Sequence, residues 1–95
     1  MEFFMKHTWK LFLDLCLSAK NTDELSKVLD CFLTIEEKND IADRYLIIKS
    51  LLDEKQTQRD IAETLNVSIA KITRGSNALK IIDPKLKSFL EKNMV

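Results

Sequence analysis

The sequence predicts an all-α protein of six helices that pairs with a second copy of itself, and three observations carry that expectation. Apolar residues recur at helical spacing nearly throughout the 95 residues, which lines one face of each segment for burial. A single glycine, Gly75, and a single proline, Pro84, leave little in the chain that breaks helices. Two stretches are also apolar on more faces than one contact can cover: Phe12 and Leu13 with Leu15, Cys16 and Leu17, and the run from Tyr45 to Leu52. A helix apolar nearly all round must be covered on several sides. Ninety-five residues offer few elements to do so, and an intertwined homodimer is the expected form. A compact monomeric bundle is the alternative.

The caps place the elements. A first helix runs from about Phe4 to Ala19, with Trp9, Phe12, Leu13, Cys16 and Leu17 on one face. Asn21 and Glu24 have the spacing of a capping box for a second helix, which carries Leu25, Val28, Leu29 and Phe32 at i, i+3, i+4 and i+7. Thr34 and Glu37 open a third in the same way, with a long body ending near Leu52. Thr57 with Asp60 opens a fourth and Ser68 caps a fifth. Asp83 followed by Pro84 starts the sixth, because proline at the first helical position lacks only an N–H that would be unpaired anyway.

The fourth and fifth helices, from Thr57 to Lys80, have the outline of a DNA-reading helix-turn-helix. Ile61, Ala62, Leu65, Val67 and Ile72 occupy the inward places that lock two short helices together, and Ala62 is small enough for close approach. Asn66 stands where the chain must turn, and asparagine tolerates a left-handed backbone better than most residues. In such motifs the second helix enters the major groove with its N-terminal residues at the base edges. Those residues are here Ser68, Ile69, Ala70, Lys71 and Thr73. A plain helical hairpin shares the outline and remains open.

Net charge is zero, but residues 1–55 hold eight Lys/Arg against eleven Asp/Glu, whereas residues 56–95 hold seven against four. The basic half contains the motif, and an excess this small suits a few phosphate contacts rather than a strongly basic arm. Cys16 and Cys31 are far apart, with no CxxC spacing and only His7 as histidine, so neither a metal site nor a disulfide framework is indicated. They read as reduced, buried, small hydrophobes. No run reaches the length of a membrane span and the N-terminus does not read as a signal peptide, so a cytoplasmic protein is expected. No nucleophile with a base, paired carboxylates or metal cluster supports an enzyme.

DNA binding alone does not explain Arg74-Gly75 in the middle of the fifth helix. Glycine there costs about 1 kcal/mol relative to alanine. Its missing Cβ admits something close to the backbone, either another helix or a flat ligand. Arg74 has a planar cation suited to a carboxylate or an aromatic face. Arg44 on the third helix is a second candidate wall, although an ordinary i, i+4 pair with Asp40 accounts for it locally.

The segment ITRGSNALK from Ile72 to Lys80, with Thr57-Gln58-Arg59 before it and Arg44 in a DRY setting, closely resembles the bacterial tryptophan repressor family over roughly Trp9 to Leu90. The resemblance implies a single domain over 1–95, with 1–55 and 83–95 as an interlaced dimerisation core and 56–82 as the DNA-reading head. It implies L-tryptophan as a corepressor ligand, no other cofactor, and a palindromic double-stranded operator in genes of tryptophan biosynthesis or transport. By similarity, Arg44 and Arg74 sandwich the indole, Arg74 also holds the carboxylate, and Gly75 leaves room beside the ring. Backbone carbonyls near Cys31 and Leu33 and at Thr34, from the other subunit, meet the ammonium. Lys71 and Ala78 fall at the same pocket. Thr57, Gln58, Arg59, Ser68, Ile69, Ala70, Lys71, Thr73, Asn77 and Lys80 match positions facing DNA.

Three residues depart from the family's pattern. Ala78 stands where better-known members have a serine that helps hold the ammonium. Lys71 replaces a threonine, where it would contact a phosphate or the ligand carboxylate, or point to solvent. Ala62 replaces a DNA-touching lysine. The arm before Trp9 is also short. A ligand-independent helix-turn-helix regulator, with Gly75 serving packing, is the competing reading, and a helical dimerisation or adaptor module is a third.

Overall fold

The computed structural model describes residues 2–94, with side chains from Phe4 onward. Six helices follow in order: α1 (Glu2–Leu17), α2 (Thr22–Phe32), α3 (Ile35–Asp53), α4 (Gln58–Leu65), α5 (Ile69–Ile81) and α6 (Pro84–Asn93). Among the described residues there is no strand, as the helical spacing predicts. They form two compact units, Met1–Glu37 and Lys38–Val95.

In the first unit an aromatic cluster joins α1 to α2. The Trp9 and Phe12 rings stack with centroids 5.4 Å apart, and Phe12 meets Phe32 edge-on at 5.1 Å. Such geometries add about 0.5–1.5 kcal/mol each beyond the area they bury. Asn21 caps α2 by accepting the Glu24 N–H at 2.8 Å, which is one half of the expected box. At Thr34 both halves form: its hydroxyl accepts from Glu37 N–H at 3.1 Å, and Glu37 Oε1 accepts from Thr34 N–H at 2.8 Å. Much apolar surface stays open within this single chain, with Trp9 60%, Phe32 55% and Leu17 84% exposed. The reading of both cysteines as buried is corrected here, for Cys31 is exposed and Cys16 only half-buried. Both are free thiols, on helices whose apolar faces this chain leaves largely uncovered.

The core of the second unit is Ile47, Ile61, Ala62 and Ile72, with Leu51, Leu65 and Val67 packed against it. Ile47 comes from α3, Ile61 and Ala62 from α4, and Ile72 from α5, so three helices meet at one small apolar centre. Complete burial of an isoleucine contributes about 1.5–3 kcal/mol. The chain leaves α3 at Glu54, which has φ 54°, and donates its N–H to the Leu51 carbonyl at 3.3 Å. At the far end Asp83 caps α6 by accepting the Leu86 N–H at 2.7 Å, with Pro84 in the first turn. No described helix is long and apolar enough to cross a membrane.

A candidate ligand pocket beside the helix-turn-helix

The α4–turn–α5 geometry follows from its caps. Thr57 Oγ1 accepts the Asp60 N–H at 3.1 Å and Asp60 Oδ2 accepts the Thr57 N–H at 3.2 Å, so the capping box is complete. Asn66 ends α4 in the left-handed conformation at φ 55°, ψ 48°. The next residue, Val67, donates its N–H back to the Ala62 carbonyl at 3.1 Å, closing the turn. Ser68 then caps α5 by accepting the Lys71 N–H at 3.2 Å. Gln58 Nε2 donates to Ser76 Oγ at 3.4 Å, a further tie between the two helices.

With Ile61 and Ile72 turned into the core, the outer surface of the motif is open and mostly polar. Thr57, Gln58, Arg59, Ser68, Ile69, Ala70, Thr73, Asn77 and Lys80 are all exposed, and Ile69 keeps 51% of its surface accessible. Lys71 differs from these, being half-buried with its ammonium turned toward α3. Ala62 is buried between the helices, so this position offers DNA no cationic group.

Between α3 and α5 lies a cavity of about 150 Å³ lined by Asp40, Asp43, Arg44, Ile47, Lys71 and Arg74. Sites for whole drug-sized ligands run to roughly 300–1,000 Å³, whereas about 150 Å³ accommodates a single six-membered ring. Three cations and two carboxylates face the cavity.

Lys71 donates to Asp43 Oδ2 at 2.9 Å and to Asp40 Oδ1 at 3.4 Å. The hydrogen bond and charge of Asp43 hold its ammonium above the usual lysine pKa against an opposing effect of desolvation, and Asp40 adds lesser contributions in the same direction as Asp43. A lysine in the first turn of a helix sits unfavourably against the positive end of the helix dipole, and the two α3 carboxylates offset that. The expected Arg44–Asp40 pair is corrected accordingly: Asp40 turns to Lys71, and Arg44 makes no hydrogen bond or ion pair with the described residues. Lys71 does not simply point to solvent. It bridges the two helices.

Gly75 is buried against α3, where a Cβ would stand 2.7 Å from Ile47 Cγ2 and 3.7 Å from Arg44 Cδ and Leu51 Cδ1. Helix packing thus fills the space that its lost side chain leaves. Of the residues assigned to the ligand by similarity, Arg44, Lys71 and Arg74 come together around the cavity with Gly75 alongside, while Ala78, half-buried on α5, is outside its lining. Cys31, Leu33 and Thr34 belong to the first unit, where Leu33 N–H donates to the Leu29 carbonyl at 2.9 Å and Cys31 Sγ–H to the Lys27 carbonyl at 3.6 Å.

Sequence reasoning missed Asp43 as a pocket residue and assigned Asp40 to a local pair. The signal was available, because positions 40, 43, 44 and 47 share one helix face. Once Arg44 is a wall, Asp40, Asp43 and Ile47 stand beside it.

Residues 7–94 match the family described as Trp repressor protein. The chain is 49% identical over 86 residues to a Trp operon repressor homolog of Chlamydia trachomatis serovar D, covering 90% of this chain and 92% of the relative. It is 51% identical over 83 residues to the homolog from Chlamydia caviae, covering 87% and 82%. A homolog of the same description from Histophilus somni is 37% identical over 86 residues, covering 90% and 81%. With a capped helix-turn-helix, the Arg74-Gly75 step and matches of this extent, the chain belongs to the Trp repressor family.

Proposed function

We propose that this protein is a DNA-binding transcriptional repressor that takes L-tryptophan as corepressor and acts in the cytoplasm on genes of tryptophan biosynthesis or transport. The observation that carries the reading is that α5 serves two surfaces at once. Its outward residues Ile69, Ala70 and Thr73 are exposed for DNA, and Lys71 and Arg74 on the same helix line the cavity against α3. A ligand wedged there bears on the orientation of the helix that reads bases. By linkage, ligand and operator then strengthen each other's binding, typically by about 1–3 kcal/mol.

In this reading the planar cations of Arg44 and Arg74 hold an aromatic ring and a carboxylate, and a second copy completes the site with the backbone around Cys31, Leu33 and Thr34. The small cavity of one chain and the open apolar side chains of α1 and α2 both support that partner. Residues 1–55 and 83–95 then form the dimerisation core and 56–82 the reading head. Two-fold pairing places two α5 helices on successive major grooves about 34–36 Å apart, a spacing known from helix-turn-helix dimers that include the Trp repressor itself. A palindromic duplex follows as the DNA partner, contacted through Arg59, Lys80 and the start of α5.

The test titrates fluorescent duplexes, enriched from a randomised pool by the purified protein with tryptophan, in the presence and absence of L-tryptophan. Tighter binding with the amino acid is the expected result. Equal affinity would reject ligand gating. A second reading, a ligand-independent regulator, is favoured by the Ile47 methyl group that already fills the space beside Gly75. Absence of any saturable heat with aromatic amino acids would select it. For a module with no DNA role, Arg59→Ala and Thr73→Ala would leave every activity intact.

A further inference from the structure

The cavity between α3 and α5 holds donors in excess. Arg44, Lys71 and Arg74 contribute only N–H groups, Ile47 contributes none, and the only side-chain acceptors in the lining are the carboxylates of Asp40 and Asp43. Ala78, one turn beyond Arg74 on α5, brings no polar atom. A ligand whose carboxylate is drawn to the arginines therefore finds side-chain acceptors for its own N–H donors in one place. Of the two carboxylates, Asp43 is the less exposed, 37% against 67% for Asp40, and the closer to Lys71, which holds it through Oδ2. Its second oxygen has no hydrogen bond among the described residues.

Resting on the ligand reading above, we infer that Asp43 is a specificity-determining residue of the pocket, which reads an N–H donor of an aromatic amino acid. Two groups of tryptophan supply that chemistry, the α-ammonium and the ring N–H. The bridge to Lys71 matters for the energetics. It neutralises the charge of Asp43 in part, so the acceptor attracts a donor without strongly repelling the ligand's carboxylate. Because Asp43 remains more than a third exposed, solvent screens the contact, and the expected discrimination is about tenfold rather than the far larger factors of sealed sites.

Calorimetry on the full chain with four compounds tests this: L-tryptophan with both donors, indole-3-propionate with the ring N–H, 1-methyl-L-tryptophan with the ammonium, and 1-methylindole-3-propionate with neither. In the wild type the last compound binds more weakly than tryptophan. Asp43→Leu weakens tryptophan binding about tenfold and changes binding of 1-methylindole-3-propionate less than about twofold. The two single-donor compounds then separate the sources: Asp43→Leu weakens indole-3-propionate if the ring N–H is read and 1-methyl-L-tryptophan if the ammonium is read. Equal weakening of all four compounds by Asp43→Leu, or no weakening of any, overturns the assignment and leaves the ligand reading standing. No saturable binding of any compound to the wild type overturns both.

Discussion

Replacing Gly75 with alanine sets two effects of opposite sign against each other. Alanine is favoured over glycine in a helix interior by about 1 kcal/mol. The added methyl, however, stands 2.7 Å from Ile47 Cγ2, about 0.7 Å short of ordinary contact at 3.4 Å. Ile47 is 1% exposed, and its Cγ2 is fixed directly to a β-branched carbon whose χ1 is stiff, so the neighbour cannot swing aside as the end of a long side chain would. Relief requires α5 to move from α3, and such overpacking costs about 1–3 kcal/mol. The net expectation for Gly75→Ala is a loss of up to about 2 kcal/mol, read by urea denaturation at fixed protein concentration. On an Ile47→Ala background, itself about 2–5 kcal/mol less stable, the added methyl occupies vacated space. There Gly75→Ala should be neutral or stabilising by up to about 1 kcal/mol. Stabilisation of the wild-type background by about 1 kcal/mol would refute the packing argument.

Four further outcomes follow from particular contacts. Asn66→Val should destabilise by about 1–2 kcal/mol, because a β-branched residue resists the φ 55° that the turn requires, while Asn66→Gly should change stability by only a few tenths of a kcal/mol in the same denaturation assay. Glu54→Gly, at φ 54° after α3, should raise the melting temperature by a few degrees, since it relieves about 1 kcal/mol of the same strain. Asp43 and Asp40 raise the pKa of Lys71 on folding, so the bridge contributes fully below the unfolded lysine value of about 10.4 and is lost as pH climbs through the higher folded value; denaturation across pH 9–12 should show the wild type losing stability relative to Lys71→Met only at the alkaline end. Arg59→Ala, removing an exposed cation at the start of α4, should weaken duplex binding across sequences and reduce the slope of log K against log salt by about 1 in fluorescence titrations.

Much of the architecture was legible without coordinates because it is local. Thr57 with Asp60, Thr34 with Glu37, Ser68 and Asp83 each hydrogen-bond within three residues of themselves, so spacing alone located the starts of α3 through α6. Asn66 was legible for the same reason, since a left-handed backbone is a property of one residue. The inward residues of the helix-turn-helix followed from periodicity, and Ile61, Ala62 and Ile72 are indeed its buried side chains.

The pocket was only half legible. Arg44 and Arg74 were recognised as planar cations, but the partner of each charge depends on what another helix brings to it. From sequence, Asp40 had Arg44 four residues away and no visible competitor; folding brought Lys71, thirty-one residues distant, to within 3.4 Å of it. Gly75 shows the same limit, because one residue type serves a bound ring and a packed helix equally well until the position of Ile47 is known. The sequence by itself determined six helices, five of them by their caps, and the turn at Asn66, all set by interactions a few residues apart. Tertiary structure alone decided that Lys71 joins Asp43 and Asp40 and that Ile47 fills the gap at Gly75, because these contacts exist only where α3 and α5 pack together.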